Sequence, residues 1–133
     1  RHRKERGETT EWISRLSIKT NGSEALITSL SGGNQQKVMF SKALRLAPRV
    51  FMLDEPTQGI DVGAKDQIHR LVDEAAANGM ATLVASTDTD ELVRLCHRVI
   101  VMIDGHISRT LKGDEITTDY IETTQLQSAR RPS

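Results

Sequence analysis

The sequence predicts an α/β fold with a mostly parallel sheet and flanking helices, and three observations carry that reading. Three short apolar runs, "VFML" at 50–53, "TLVAS" at 82–86 and "VIVMI" at 99–103, have strand length and little polar alternation. Strands buried on both faces look like that. Segments of helical period separate them, and strands alternating with helices are the pattern of parallel-sheet units. The third observation is punctuation: Pro48, Asn78-Gly79 and Asp104-Gly105 each stand at the end of a periodic stretch, where breakers and turn residues belong.

Taken in order, residues 1–17 read as a helix whose short apolar stripe is Trp12, Ile13 and Leu16. "KTNGSEALITS" at 19–29 holds an Asn-Gly turn signal and reads as a connector. From Gly33 to about Leu46, the residues Met39, Ala43 and Leu46 recur at i, i+4 and i+7, which is helix spacing. Pro48 stops that helix, and "VFML" follows as the first strand. "AKDQIHRLVDEAAANG" makes an amphipathic helix through Ile68, Leu71, Val72 and Ala75, closed by Asn78-Gly79. After the strand "TLVAS", the segment "DTDELVRLC" forms another helix with Asp88 as its cap. "VIVMI" is the third strand, and Asp104-Gly105 turns it into a hairpin with "HISRT". A last short helix follows Thr118, and a disordered tail is expected over 126–133.

Composition removes several function classes. Eighteen Lys+Arg balance eighteen Asp+Glu, so no global field calls for nucleic acid or an acidic membrane surface. The local "RHRKER" start is explained by a solvated helix face, and 3% aromatic content offers little for base stacking. Cys96 is alone, so neither a disulfide framework nor a cysteine metal site is available. The histidines are read as bland: His2 in the charged start, His69 and His97 on helix or helix-end surfaces, His106 on the hairpin. No pair of them has metal-ligand spacing with a third acid or thiol. No apolar run approaches the ~18 residues needed to span a bilayer. Beginning at Arg1 with neither Met nor a signal pattern, the chain is expected to be a piece of something longer.

Two stretches carry chemistry. In "SLSGGNQQKVMF", 29–40, a serine and two glycines lead into a helix-compatible run. That presents backbone N–H groups and a hydroxyl to an anion at a helix start. A self-contained nucleotide site also needs a GxxxxGK[ST] loop, and no such loop occurs in the 133 residues. In "VFMLDEPTQGID", 50–61, Asp54 and Glu55 stand at the carboxyl end of a buried strand, where open α/β sheets place ligands. The first acid is suited to Mg²⁺, directly or through water, and the second to polarising an attacking water. Pro56 turns the chain out of the strand, and Gly59 permits a tight turn before Asp61.

In combination these stretches resemble the ATP-binding-cassette (ABC) ATPases. "LSGGNQQK" at 30–37 is similar to their signature motif, and "VFMLDE" at 50–55 to the Walker B strand with its catalytic glutamate. "GID" at 59–61 resembles the D-loop, and "TLVAST" at 82–87 the strand leading to the switch residue. All four occur in the family's order and spacing, over roughly residues 10–120. Asn34 and "DEPTQGIDVGAK" at 54–65 are similar to the C-terminal cassette of tandem-cassette carbohydrate importers of the ribose, xylose and galactose type. Those proteins usually carry Arg where this chain has Gln58.

The resemblance implies a P-loop NTPase fold with its N-terminal part missing. Residues 1–125 would be the C-terminal part of the ABC domain, from signature helix to terminal hairpin. ATP and Mg²⁺ are the implied ligands. In the family, two cassettes pack head to tail, each nucleotide lying between one Walker A loop and the other's signature. Ser31, Gly32 and Gly33, with Asn34, Gln35 and Asp61, would then address ATP held by a partner cassette. Asp54 would bear on Mg²⁺, and Glu55 would be the catalytic carboxylate. Lys37 is expected on the surface rather than on phosphate. Thr87 occupies the position where most members carry a switch histidine, and a hydroxyl does not hold a proton near neutrality. The site containing Glu55 is therefore the weaker of two.

Further partners implied are a membrane permease and, indirectly, a periplasmic or extracellular sugar-binding protein. The expected location is the cytoplasmic side of the plasma (inner) membrane, held peripherally. Two rival readings stand beside this one. One is a non-catalytic truncated cassette that completes or competes for another cassette's site. The other is a nucleic-acid or ribosome-associated ABC protein, which usually shows "LD" where this chain has "ID", a switch histidine, and basic or coiled-coil insertions.

Overall fold

The computed structural model describes residues 2–129. The chain forms two compact units, Arg1–Leu83 and Val84–Ser133.

The first unit opens with α1, His2–Arg15. It stops at Ser17, whose φ of 48° is left-handed, while the Ile18 N–H reaches back to the Ile13 carbonyl at 2.9 Å. That reversal is the usual way a helix satisfies its last carbonyls, and it buries Leu16 and Ile18. A connector with one 3₁₀ turn, Ile27–Ser29, leads to α2, Gly32–Arg45.

Helix α2 lies where its period predicts, but on a different face. The expected stripe of Met39 and Leu46 is 57% and 81% exposed, and the buried side is Gly33, Asn34, Lys37 and Phe40. Gly33, Lys37 and Phe40 are also spaced i, i+4, i+7. Glycine lets the helix come close to its neighbour, and a lysine stem lines apolar surface although its head is charged. Phe40 meets Phe51 edge to face, with ring centroids 5.5 Å apart, a favoured aromatic geometry. Lys37 is therefore buried, against the expectation that it lies on the surface.

Strand β1, Val50–Asp54, pairs with β2, Ala81–Ala85. The pairing is parallel and begins where the Ala81 N–H donates to the Arg49 carbonyl at 3.0 Å. Burial on both faces was expected for these strands. Instead Phe51 points into the core, while Val50 and Met52 are 58% and 71% exposed. Leu83 is also exposed. Helix α3, Val62–Ala77, buries the expected Ile68, Leu71, Val72 and Ala75. His69, expected on the helix surface, is buried with them. Gly79, with φ of 85°, ends the helix.

The second unit holds α4, Thr89–Leu95, β3, Arg98–Ile103, β4, His106–Lys112, and α5, Thr118–Ala129. Asp104 and Gly105 both have positive φ, 48° and 76°, the requirement of a tight two-residue hairpin turn. The antiparallel register runs from Ile103 opposite His106 to Arg98 opposite Lys112, with an irregularity between Val101 and Met102. Val99, Val101, Leu111 and Ile121 form the core of this unit, each worth about 1.5–3 kcal/mol of burial. Helix α5 continues through 126–129, where the tail was expected, and 130–133 lie outside the described residues. Among the described residues no helix is long and apolar enough to cross a membrane.

Candidate functional site

The start of α2 is built by side chains that face inward so that Ser31 can face outward. Asn34 is buried, and its Oδ1 accepts the Lys19 backbone N–H at 3.1 Å. Its amide nitrogen donates to the Ser31 Oγ at 2.9 Å. A backbone N–H on Lys19 can be met only by the amide oxygen, which turns the NH₂ toward Ser31. The Ser31 hydroxyl thus accepts from Asn34 and keeps its own O–H to donate outward. It makes no cap bond to the helix. Gln35 donates to the Leu30 carbonyl at 2.9 Å, fixing the approach to Ser31 from the other side. Asn34 and Gln35, expected to face a nucleotide, therefore use their side chains to hold this turn.

Gly33 is where α2 meets α3. A methyl group built on it would stand 2.8 Å from the Ala64 Cβ and 3.5 Å from the Asp61 Oδ2. Only glycine permits that approach without a shift. Asp61 caps α3, its Oδ1 accepting the Ala64 N–H at 3.0 Å, an arrangement worth about 1 kcal/mol. Ser31, Gly32, Gly33, Asn34, Gln35 and Asp61 are thus gathered at one pair of helix starts. Gly32 differs from Gly33, since nothing lies within 4 Å of a methyl group at that position.

Asp54 is the last residue of β1, and Glu55 follows with φ of 45°. A left-handed non-glycine residue costs of order 1–3 kcal/mol and gathers at functional sites. The turn after it is closed by the Gln58 N–H on the Glu55 carbonyl at 3.2 Å, and Pro56 and Thr57 are buried. Gln36 donates to the Pro56 carbonyl at 2.8 Å, tying α2 to the loop that leaves the two carboxylates. Nothing in the sequence beyond helical phase marks Gln36 for that bond. Among the described residues no three His, Cys, Asp or Glu side chains form a metal-binding group. Asp54 alone suits Mg²⁺, which commonly takes one or two carboxylates plus phosphates and water. Thr87 lies in the second unit, exposed in the bend between β2 and α4. Beside it the Asp88 N–H donates to the Ser86 Oγ at 3.1 Å.

The chain is similar to known proteins in sequence and in fold. Residues 2–58 match the family described as ABC transporter. The ribose import ATP-binding protein RbsA 2 of Rhizobium meliloti (strain 1021) is 45% identical over 119 residues, 90% of this chain and 23% of the relative. The xylose import ATP-binding protein XylG of Yersinia pseudotuberculosis is 40% identical over 125 residues, 94% of this chain and 24% of the relative. The chain thus spans about a quarter of the length of the curated relatives it matches. Among solved structures, a dimeric post-hydrolysis ATP-binding cassette bound to ADP and Pi superposes with a TM-score of 0.71 at 24% identity. That match covers 83% of this chain and 47% of the cassette. A metal-chelate type ABC transporter in an inward-facing conformation gives a TM-score of 0.73 at 21% identity, covering 91% and 48%. These likenesses fix the fold as that of an ABC ATPase cassette. By its sequence relatives and its fold, the chain belongs to the ABC transporter family of ATP-binding cassettes.

Proposed function

We propose that the chain is part of the ATP-binding, ATP-hydrolysing subunit of an ABC importer that energises carbohydrate uptake, and that it supplies Ser31–Gly33 to an ATP held by a partner cassette. The observation that carries this reading is the outward-facing Ser31 hydroxyl, held by buried Asn34 at the start of α2. The similarity to ribose and xylose import ATP-binding proteins supports the transport context. The subunit works on the cytoplasmic face of the membrane, against a permease fed by a sugar-binding protein.

The backbone N–H groups at the start of α2 and the Ser31 hydroxyl bind the γ-phosphate of the partner's ATP. The helix dipole adds about 0.3–1 kcal/mol, and each charge-assisted hydrogen bond about 1.5–3 kcal/mol. At the site containing Glu55, Mg²⁺ would supply neutralisation of phosphate charge. Asp54 would hold that ion, directly or through water. Glu55, a residue in left-handed backbone at the end of β1, orients and polarises the attacking water. By the resemblance Thr87 takes the switch position, with a hydroxyl where a titrating imidazole would handle a proton. Asp61 holds the start of α3 beside Gly33 and so keeps the phosphate-facing turn in place.

The test is Gly32→Asp in the transport subunit that carries this chain, assembled with its permease in proteoliposomes. A side chain at Gly32 meets nothing within 4 Å, so the fold survives while a carboxylate is set against the γ-phosphate. ATPase activity is expected to collapse. Activity near that of the parent overturns the reading.

A further inference from the structure

Lys37 is buried to 6% exposure on the inner face of α2, one turn after Gly33. Buried lysines ordinarily carry a close carboxylate partner. Here its ammonium donates to backbone, with Nζ 3.5 Å from the Ser17 carbonyl. Ser17 is the left-handed residue that ends α1. The ammonium thus sits at the negative end of the α1 dipole, where a cation is stabilised. The same face of α2 packs Gly33 on Asp61 and Ala64 at the start of α3. Asp61 also bears electrostatically on Lys37. The carboxyl end of α1 therefore meets the inner face of α2 at Lys37, one turn along from where α2 meets the start of α3 at Gly33.

We propose that Lys37 is a positioning residue whose buried ammonium ties the carboxyl end of α1 to the inner face of α2, one turn after its phosphate-facing start. The functional consequence rests on the reading above, that Ser31–Gly33 address a partner's phosphate. The positional claim does not, because its readout is in the chain itself. Asn34 transmits the position, since it bonds Lys19 two residues after Ser17 and Ser31 at the helix start. A shift at the end of α1 therefore moves the hydroxyl that faces outward.

The substitution that isolates the charge is Lys37→Met, which keeps the apolar stem and removes only the ammonium. A residue that merely fills space is replaced by Met without local effect. Amide hydrogen exchange of the 133-residue chain is followed at Ile18, Lys19, Gln35 and Ala64, whose N–H groups are bonded at the end of α1, at the start of α2 and at the cap of α3. Val99 and Leu111, paired in the β3–β4 hairpin, serve as remote references. We expect exchange at the four probes to quicken at least tenfold in Lys37→Met, with the hairpin unchanged, and Lys37→Arg to restore most of the protection. Exchange within twofold of the parent at all four probes overturns the proposal.

Should Lys37→Met fail to fold, the parent chain decides. A slowly exchanging Lys37 ammonium signal with cross-relaxation to Ser17 is expected, and its absence overturns the proposal. In the assembled transporter, Lys37→Met is expected to lower kcat at least tenfold, with Lys37→Arg recovering activity. An unaltered kcat overturns the functional half. If Gly32→Asp also leaves ATPase intact, the phosphate reading has failed, and the exchange data still judge Lys37.

Discussion

Substituting the two adjacent glycines at the start of α2 by alanine is expected to have opposite effects on stability. At Gly33 the new methyl carbon would stand 2.8 Å from the Ala64 Cβ. Carbon pairs settle at about 3.5–4.0 Å, so α2 and α3 must part by roughly 0.7–1.2 Å at a point where neither atom belongs to a flexible side chain. Overpacking of this kind costs about 1–3 kcal/mol. Against it stands the helix gain of Gly→Ala, about 0.5–1 kcal/mol. Gly33→Ala therefore loses up to about 2.5 kcal/mol net. Gly32→Ala meets nothing within 4 Å and keeps only the gain. Urea midpoints of the two variants should fall on opposite sides of the parent, with Gly33→Ala below. Returning the space with Gly33→Ala/Ala64→Gly should recover the clash component, seen as a coupling of about 0.5–3 kcal/mol in the double-mutant cycle. Equal midpoints for the two single variants, or no recovery in the double variant, would refute the close approach on which the site geometry depends.

Two further outcomes are expected. Burial lowers the Lys37 pKa from its ordinary 10.5, with Asp61 opposing and Lys19 adding to the shift. The unfolded chain then holds a proton that the folded chain has released between the depressed value and 10.5, so this group's contribution to stability rises with pH through that window. The stability of the parent minus that of Lys37→Met, from urea unfolding at stepped alkaline pH, should climb accordingly; a flat difference contradicts the burial. Glu55→Gly removes a left-handed strain at φ 45° and should raise stability by about 1 kcal/mol while abolishing hydrolysis in the assembled subunit. A destabilised Glu55→Gly chain would mean that the glutamate is kept for the fold rather than the chemistry.

What the sequence revealed and what it hid can be traced to particular residues. Period and punctuation located α2 and α3, and Asp61 and Asp88 cap their helices through Ala64 and Glu91. The Asp104-Gly105 turn was legible because both positions need positive φ. Facing was harder. Hydropathy assigned Met39 and Leu46 inward, yet Gly33 and Lys37 are the buried pair. A close approach that only glycine allows, and a lysine whose head meets a helix end, have no signature in apolar periodicity. The apolar run of β1 likewise said nothing of which side would be covered, and Phe51 took the inner side by meeting Phe40. Motif residues Ser31, Gly33 and Asp61 were named from the sequence. The bonds that support them, Asn34 on Lys19 and Gln36 on Pro56, join segments whose proximity only folding supplies.

The central claim is that Ser31–Gly33 contact the γ-phosphate of a nucleotide held by another cassette. It is tested most directly with an ATP analogue carrying a photoreactive group on its γ-phosphate, bound to the assembled transporter and irradiated. Label is predicted on the segment 31–37 of this chain, abolished by excess ATP and retained when the partner's own signature serine is mutated. Label confined to the partner cassette, or reaching this chain only at positions remote from the start of α2, would contradict the account.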